Sequence, residues 1–165
     1  MATVTTLSNA VGAGTHPSRG VRQMPYVVEN TVNLASVVTA LGAAIASGDI
    51  VEALQIPAQS IVLSAGIEVI SAVTGNVVVS LGVTGVTAKA YIADATMNAS
   101  TAGTYFAGAT AGYPIVSQSA DTIDVLFGTV TTAVTAGKLR VWAVLCDVQD
   151  RREIDGLSVD RDQLA

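Results

Sequence analysis

GDIVEALQIPAQSIVLSAGIEVISAVTGNVVVSLGV, residues 48–83, decides the fold class. Ile50 to Ile56 alternates in strand fashion and stops at Pro57, which has no N–H to give a ladder. Ser60 to Val73 is a second apolar run, and Gly66 inside it predicts a break or a bulge. Thr74-Gly75-Asn76 then makes a short turn before a third run, Val77 to Val83. A Gly-Asn pair between β-branched runs predicts a hairpin, because both residues tolerate positive φ. The stretch reads as β-sheet throughout.

Working outward, Pro25 opens a strand from Tyr26 to Leu34, with Tyr26, Val28, Asn30, Val32 and Leu34 on one face. Ala35 to Ser47 is ambiguous. Val37, Val38, Leu41, Ala44 and Ile45 suit a short helix, but Thr39 and Gly42 are poor helix formers and no clear cap precedes them. Either a helical turn or two or a loop satisfies this segment. Downstream, Ala88 to Ile92 reads as a strand, and Asp94 to Ala111, poor in bulky apolar residues, as a long loop. Tyr113 to Ser117 and Ile123 to Gly128 are further strands. In Lys138 to Val148, Leu139, Val141, Ala143 and Leu145 form one face, while Arg140, Trp142, Val144 and Cys146 form the other. A strand apolar on both faces in its middle is central, with Trp142 as a packing anchor. About eight strands separated by turn signals predict an all-β antiparallel sandwich or barrel over residues 25–148.

Composition bounds the function. The chain has 165 residues, half of them hydrophobic but only 4 % aromatic, so its core is aliphatic. Charged residues make up 13 %, against a usual share of about 25 %. A surface so poor in charge is expected to lie partly against protein, sister copies or another partner. A net charge of −5 argues against nucleic-acid binding, which needs a basic face to displace counterions. The uncharged run 30–48 carries too many Asn, Thr, Ser and Gly residues for a spanning helix. With no basic n-region and apolar h-region at the start, a signal peptide is not expected, and the protein is expected to be soluble and made in the cytoplasm. The single cysteine, Cys146, excludes an internal disulfide and reads as a small apolar strand residue.

No constellation for catalysis emerges. His16 has no partner to orient it, and no G-x-S-x-G elbow or base accompanies the serines. Asp121 and Asp124 read as a turn-capping and an exposed strand carboxylate rather than an acid/base pair. Asp147, Asp150 and Asp155 lack the Gly-centred spacing of a calcium loop, and His16 with Cys146 is no zinc site. No cofactor, metal or enzymatic activity is expected.

Two segments outside the sandwich read as arms. Residues 1–24 mix Gly, Ser, Thr and Asn without apolar period. Residues 149–165 carry eight charges in 17 positions with a sparse apolar rhythm. The bland reading of the second is a solvated tail; the functional one is an arm placing ion pairs on a partner, Arg151 and Arg152 reaching carboxylates bidentately. Candidate interface residues are Arg19 and Arg22 on the first arm, and Arg151, Arg152, Ile154 and Leu157 on the second. Tyr105 and Phe106 join them from the long loop, where they either pin the loop down or plug into a neighbouring subunit.

The run 48–85, followed by AYIADA, SADTIDVLFG and KLRVWAVLCDV, resembles the head decoration, or cement, proteins of tailed bacteriophages over about residues 26–150. That resemblance implies a jelly-roll-like domain on the capsid exterior, a homo-oligomer, commonly a trimer, and the major capsid protein as partner. It implies no particular functional residues. Two other classes fit the residues: a different virion part (head fibre, tail module or small capsid subunit), and a carbohydrate-binding β-sandwich. The second needs exposed aromatics beside carboxylates, for which only Tyr105, Phe106 and Tyr113 are available.

Overall fold

The computed structural model describes residues 2–5, 25–83, 87–98, 102–107 and 115–147. Among them are ten strands and one helix: β1 (Thr3–Thr5), β2 (Tyr26–Asn33), α1 (Leu34–Leu41), β3 (Ile50–Ile56), β4 (Ser60–Ser71), β5 (Asn76–Val83), β6 (Thr87–Asn98), β7 (Tyr105–Ala107), β8 (Ile115–Ser117), β9 (Asp121–Val130) and β10 (Lys138–Asp147). Sheet I has the order β1-β3-β9-β5-β6; sheet II has β2-β10-β4-β7, with β8 also on β4. All pairings are antiparallel except β1 on β3.

This order has a simple generator. The first half of the chain pairs with the second half in reverse: β2 with β10, β3 with β9, β4 with β7 and β8, and β5 with β6. Alternate pairs then go to opposite sheets, joined by β10 on β4 and β9 on β5. One long hairpin rolled into two packed sheets is a jelly roll. The predicted all-β sandwich is therefore observed, and its winding is explicit.

Between the sheets lies the aliphatic core that the composition predicts, with Tyr91 and Phe127 its largest fully buried side chains. Period-2 alternation accounts for most of it: β10 buries Leu139, Val141, Ala143 and Leu145 completely. A buried polar side chain also bridges the two sheets. Asn30 on β2 donates from Nδ2 to the Ala53 carbonyl of β3 at 2.8 Å, linking the sheets. Ala53 is the residue skipped where the β3–β9 register shifts, so the ladder leaves it unpaired and the amide bonds it instead.

Four expectations are corrected. Thr74-Gly75-Asn76 is not a hairpin turn: β4 belongs to sheet II and β5 to sheet I, and the turn crosses between them. Gly75 does take positive φ, +87°, but the crossing is fixed from outside. The Thr74 hydroxyl accepts the N–H groups of Thr135 at 3.0 Å and Ala136 at 2.9 Å. Gly66 is neither a break nor a bulge; it lies mid-strand opposite Trp142, and the register shifts of β4 fall nearer its ends. β6 runs to Asn98 instead of ending at Ile92, because small Ala and Thr residues extend a strand when the neighbouring β5 supplies the ladder. Tyr105 and Phe106 are in strand β7, paired to Glu68 and Ile67, rather than in a loop.

The ambiguous segment holds a two-turn helix. Asn33, the last residue of β2, caps it by accepting the Ala35 N–H at 3.1 Å. Gly42 ends it at φ +69°, donating to the Val38 carbonyl at 2.9 Å.

Candidate interface

Among the described residues, the large apolar side chains most exposed to solvent lie on sheet II. Its centre is β10, flanked by β2 and β4, so Arg140, Trp142, Val144 and Cys146 project outward in a row. Trp142 lies flat over Gly66: a Cβ at that position would come within 2.6 Å of the indole Cζ2. The glycine thus makes the seat for the ring. Beside it, Arg140 is ion-paired to Glu68 on β4, with Glu29 on β2 3.9 Å away. These side chains are partly exposed, so the pairs orient more than they stabilise.

Toward the Leu145 end of β10 the same face turns apolar. Val27 lies opposite Val144, Cys146 opposite Ile61, and Ile61 opposite Val116. Leu63 sits in the β4 bulge between them. Val27 is 62 % exposed, Val116 54 % and Leu63 39 %, three of the four large hydrophobics most exposed among the described residues. The patch crosses four strands, about 15 Å at the usual strand spacing. The first residue of β2, Tyr26, pairs with Leu145 near the end of β10 at this same end.

Sheet I is different on its outward side. Ile50 and Ser80 flank Leu126 there, and they are 2 % and 0 % exposed. In the next row lies Asp124, between Glu52 and Gly82 and only 3 % exposed. The expectation of an exposed carboxylate is overturned, because strand alternation fixes which side a residue faces and not whether that side is open. Asp121 is the first residue of β9, paired with Ile56, and its Oδ1 accepts the Thr122 N–H at 2.8 Å.

Asp94 marks a bulge in β6, at φ +49°. Lys89 Nζ donates to both of its oxygens at 2.7 and 2.8 Å, and the Ser80 hydroxyl also donates to it. The hydrogen bond from Lys89 holds its pKa below the ordinary aspartate value. A depressed folded-state pKa contributes stability that is full above the unfolded value, about 4, and fades as pH falls through the folded one. Replacing Asp94 by Asn should lower the denaturation midpoint slightly above about pH 4 and leave it unchanged in stronger acid, so that the acid limb of the midpoint against pH flattens.

Of the residues singled out by sequence, Tyr105 and Phe106 are brought into sheet II beside Glu68. Arg19, Arg22, Arg151, Arg152, Ile154 and Leu157 lie outside the described residues. The patch of Val27, Leu63 and Val116 was missed. Its signal was available in apolar residues on both alternating faces of β2, β4 and β10. Among the described residues, no three His, Cys, Asp or Glu side chains are grouped to hold a metal, and no helix is long and apolar enough to cross a membrane.

No family model matches the chain, and no curated protein matches it. Solved structures do share its fold. A chain in the capsid of Ralstonia phage GP4 is similar at 13 % identity and a TM-score of 0.64, over 90 % of this chain and 99 % of that one. A chain in the cyanophage Pam1 capsid asymmetric unit is similar at 18 % identity and a TM-score of 0.58, over 79 % of this chain and 90 % of that one. At these identities the likeness is one of fold.

Proposed function

We propose that this protein is a structural component of a phage particle, a decoration or cement protein that binds the outside of the assembled capsid and stabilises contacts between major capsid subunits. The observation that carries the reading is the whole-chain likeness to a chain of the Ralstonia phage GP4 capsid, which takes in 99 % of that chain rather than one domain of a larger protein. The low charge and the apolar end of sheet II support it, because they suit a protein that functions in contact with other protein.

The mechanism is thermodynamic. A protein that binds the closed shell and not its free subunits stabilises the shell by mass action, about 2.7 kcal/mol per site at a hundred times Kd. A homo-oligomer, a trimer in this reading, multiplies a weak contact through avidity. The arms, with Arg19, Arg22, Arg151, Arg152, Ile154 and Leu157, and the β7 aromatics Tyr105 and Phe106 extend the contact onto neighbours. The test adds purified protein to shells that lack it. Expected are saturable binding and a rise in the temperature at which the shells rupture. Shells that bind none of it, or rupture at an unchanged temperature when saturated, contradict the proposal.

A further inference from the structure

The free edge of β3 is a seat that reads an extended backbone, and β1 fills it. Thr3, Val4 and Thr5 run parallel to Ile50, Val51 and Glu52, and the Ile50 N–H donates to the Ala2 carbonyl at 2.8 Å. Asp49 completes the seat. Its Oδ1 accepts the Ala2 N–H at 2.8 Å, and its Oδ2 accepts the Ala46 N–H at 2.9 Å. The carboxylate is 7 % exposed, so it is held by the turn before β3 and aimed at the strand. Val4 adds partial packing against the core.

We infer that β1 is an exchange strand: in assemblies of this protein, Ala2–Thr5 of one copy docks on β3 and Asp49 of a second copy. Three observations carry this. The seat's hydrogen bonds are made to main chain, so an identical strand from another copy satisfies it equally. The pairing is only three residues long, so its retention depends on how often the strand is presented. Twenty residues, 6–25, separate β1 from β2. That number of residues can span at most about 65 Å, whereas a domain of this size is about 40 Å across.

Energetics then decide between the two states. A tether of this length supplies an effective concentration of order millimolar, so the strand stays on its own chain in dilute solution. Between copies in contact, a neighbour's seat is presented at a comparable concentration. The bonds are the same in both states, so the balance rests on tether entropy, which changes by only about 0.6 kcal/mol per doubling of length. Leaving the seat empty is the unfavourable state, since it bares the β3 edge. Exchange therefore ties copies together at little cost. The inference goes beyond the proposed function, and its test needs no shell.

Thr3→Cys and Ile50→Cys occupy opposed positions, and each is placed in a separate chain carrying Cys146→Ser. The two are mixed, unfolded together, refolded at high protein concentration and oxidised. The expected result is a covalent dimer of the two variants, with a yield rising with concentration and falling at least tenfold when Asp49→Ala is added to the Ile50→Cys chain. Sedimentation equilibrium gives an independent readout: the unmodified chain should self-associate with rising concentration more strongly than a chain beginning at Thr6. A dimer yield indifferent to Asp49→Ala overturns the inference. So does the absence of both the mixed disulfide and any association that depends on residues 2–5.

Discussion

Gly75→Ala is expected to lower the stability of the fold by about 3 kcal/mol or more, and the melting temperature by about 10 °C. Two effects add at this residue. Its φ of +87° is a conformation that costs a non-glycine residue about 1–2 kcal/mol. A Cβ there would also be driven into the Thr132 carbonyl and would lie 2.7 Å from the Ala133 carbonyl. Both are backbone atoms and cannot rotate aside. Thr74 bonds the adjoining segment at Thr135 and Ala136, so the crossing cannot swing away without losing those bonds. Gly42→Ala is the matched control: φ is +69°, but nothing lies within 4 Å of its Cβ, so its cost should be about 1 kcal/mol. Urea denaturation of both variants checks this. Equal losses would show that the 72–76 crossing does not pack on 131–137 as described.

Val27→Asp combined with Val116→Asp should abolish assembly while leaving the domain folded. Both side chains are more than half exposed, and both belong to strands at or near the edge of sheet II. Losing β-branched residues there costs at most about 1 kcal/mol each in the free protein. In a contact that buries the patch, two carboxylates without partners cost several kcal/mol, and 3 kcal/mol is already more than a hundredfold in affinity. Circular dichroism and melting temperature should change little while shell binding falls by at least that factor. Undiminished binding would remove the apolar end of sheet II from the interface.

The contrast between β3 and the turn after β4 shows what could be read from sequence. β3 was legible to the residue because its limits are local: alternation within it and Pro57 after it. The two faces of β10 were legible for the same reason, and its central place followed from both faces being apolar. The turn at Gly75 was legible as positive φ but not as a crossing. Which sheet each flanking strand joins is decided by β10 and β9, more than 40 residues downstream. Likewise Asn33 could not be recognised as a helix cap while it completed the strand pattern of β2. For the candidate interface, exposure was the missing quantity. Val27 and Val116 look like any strand valines until register sets them across one face, and Asp124 looks exposed until its side of sheet I proves closed.

The measurement that goes most directly to the central claim is an electron cryomicroscopy difference map between shells prepared with and without this protein. The account predicts added density on the outer surface, of a size and shape that fit this jelly roll, with the Val27 and Val116 end of sheet II in contact with protein. Difference maps showing no added density, or density confined to the shell interior, would contradict it.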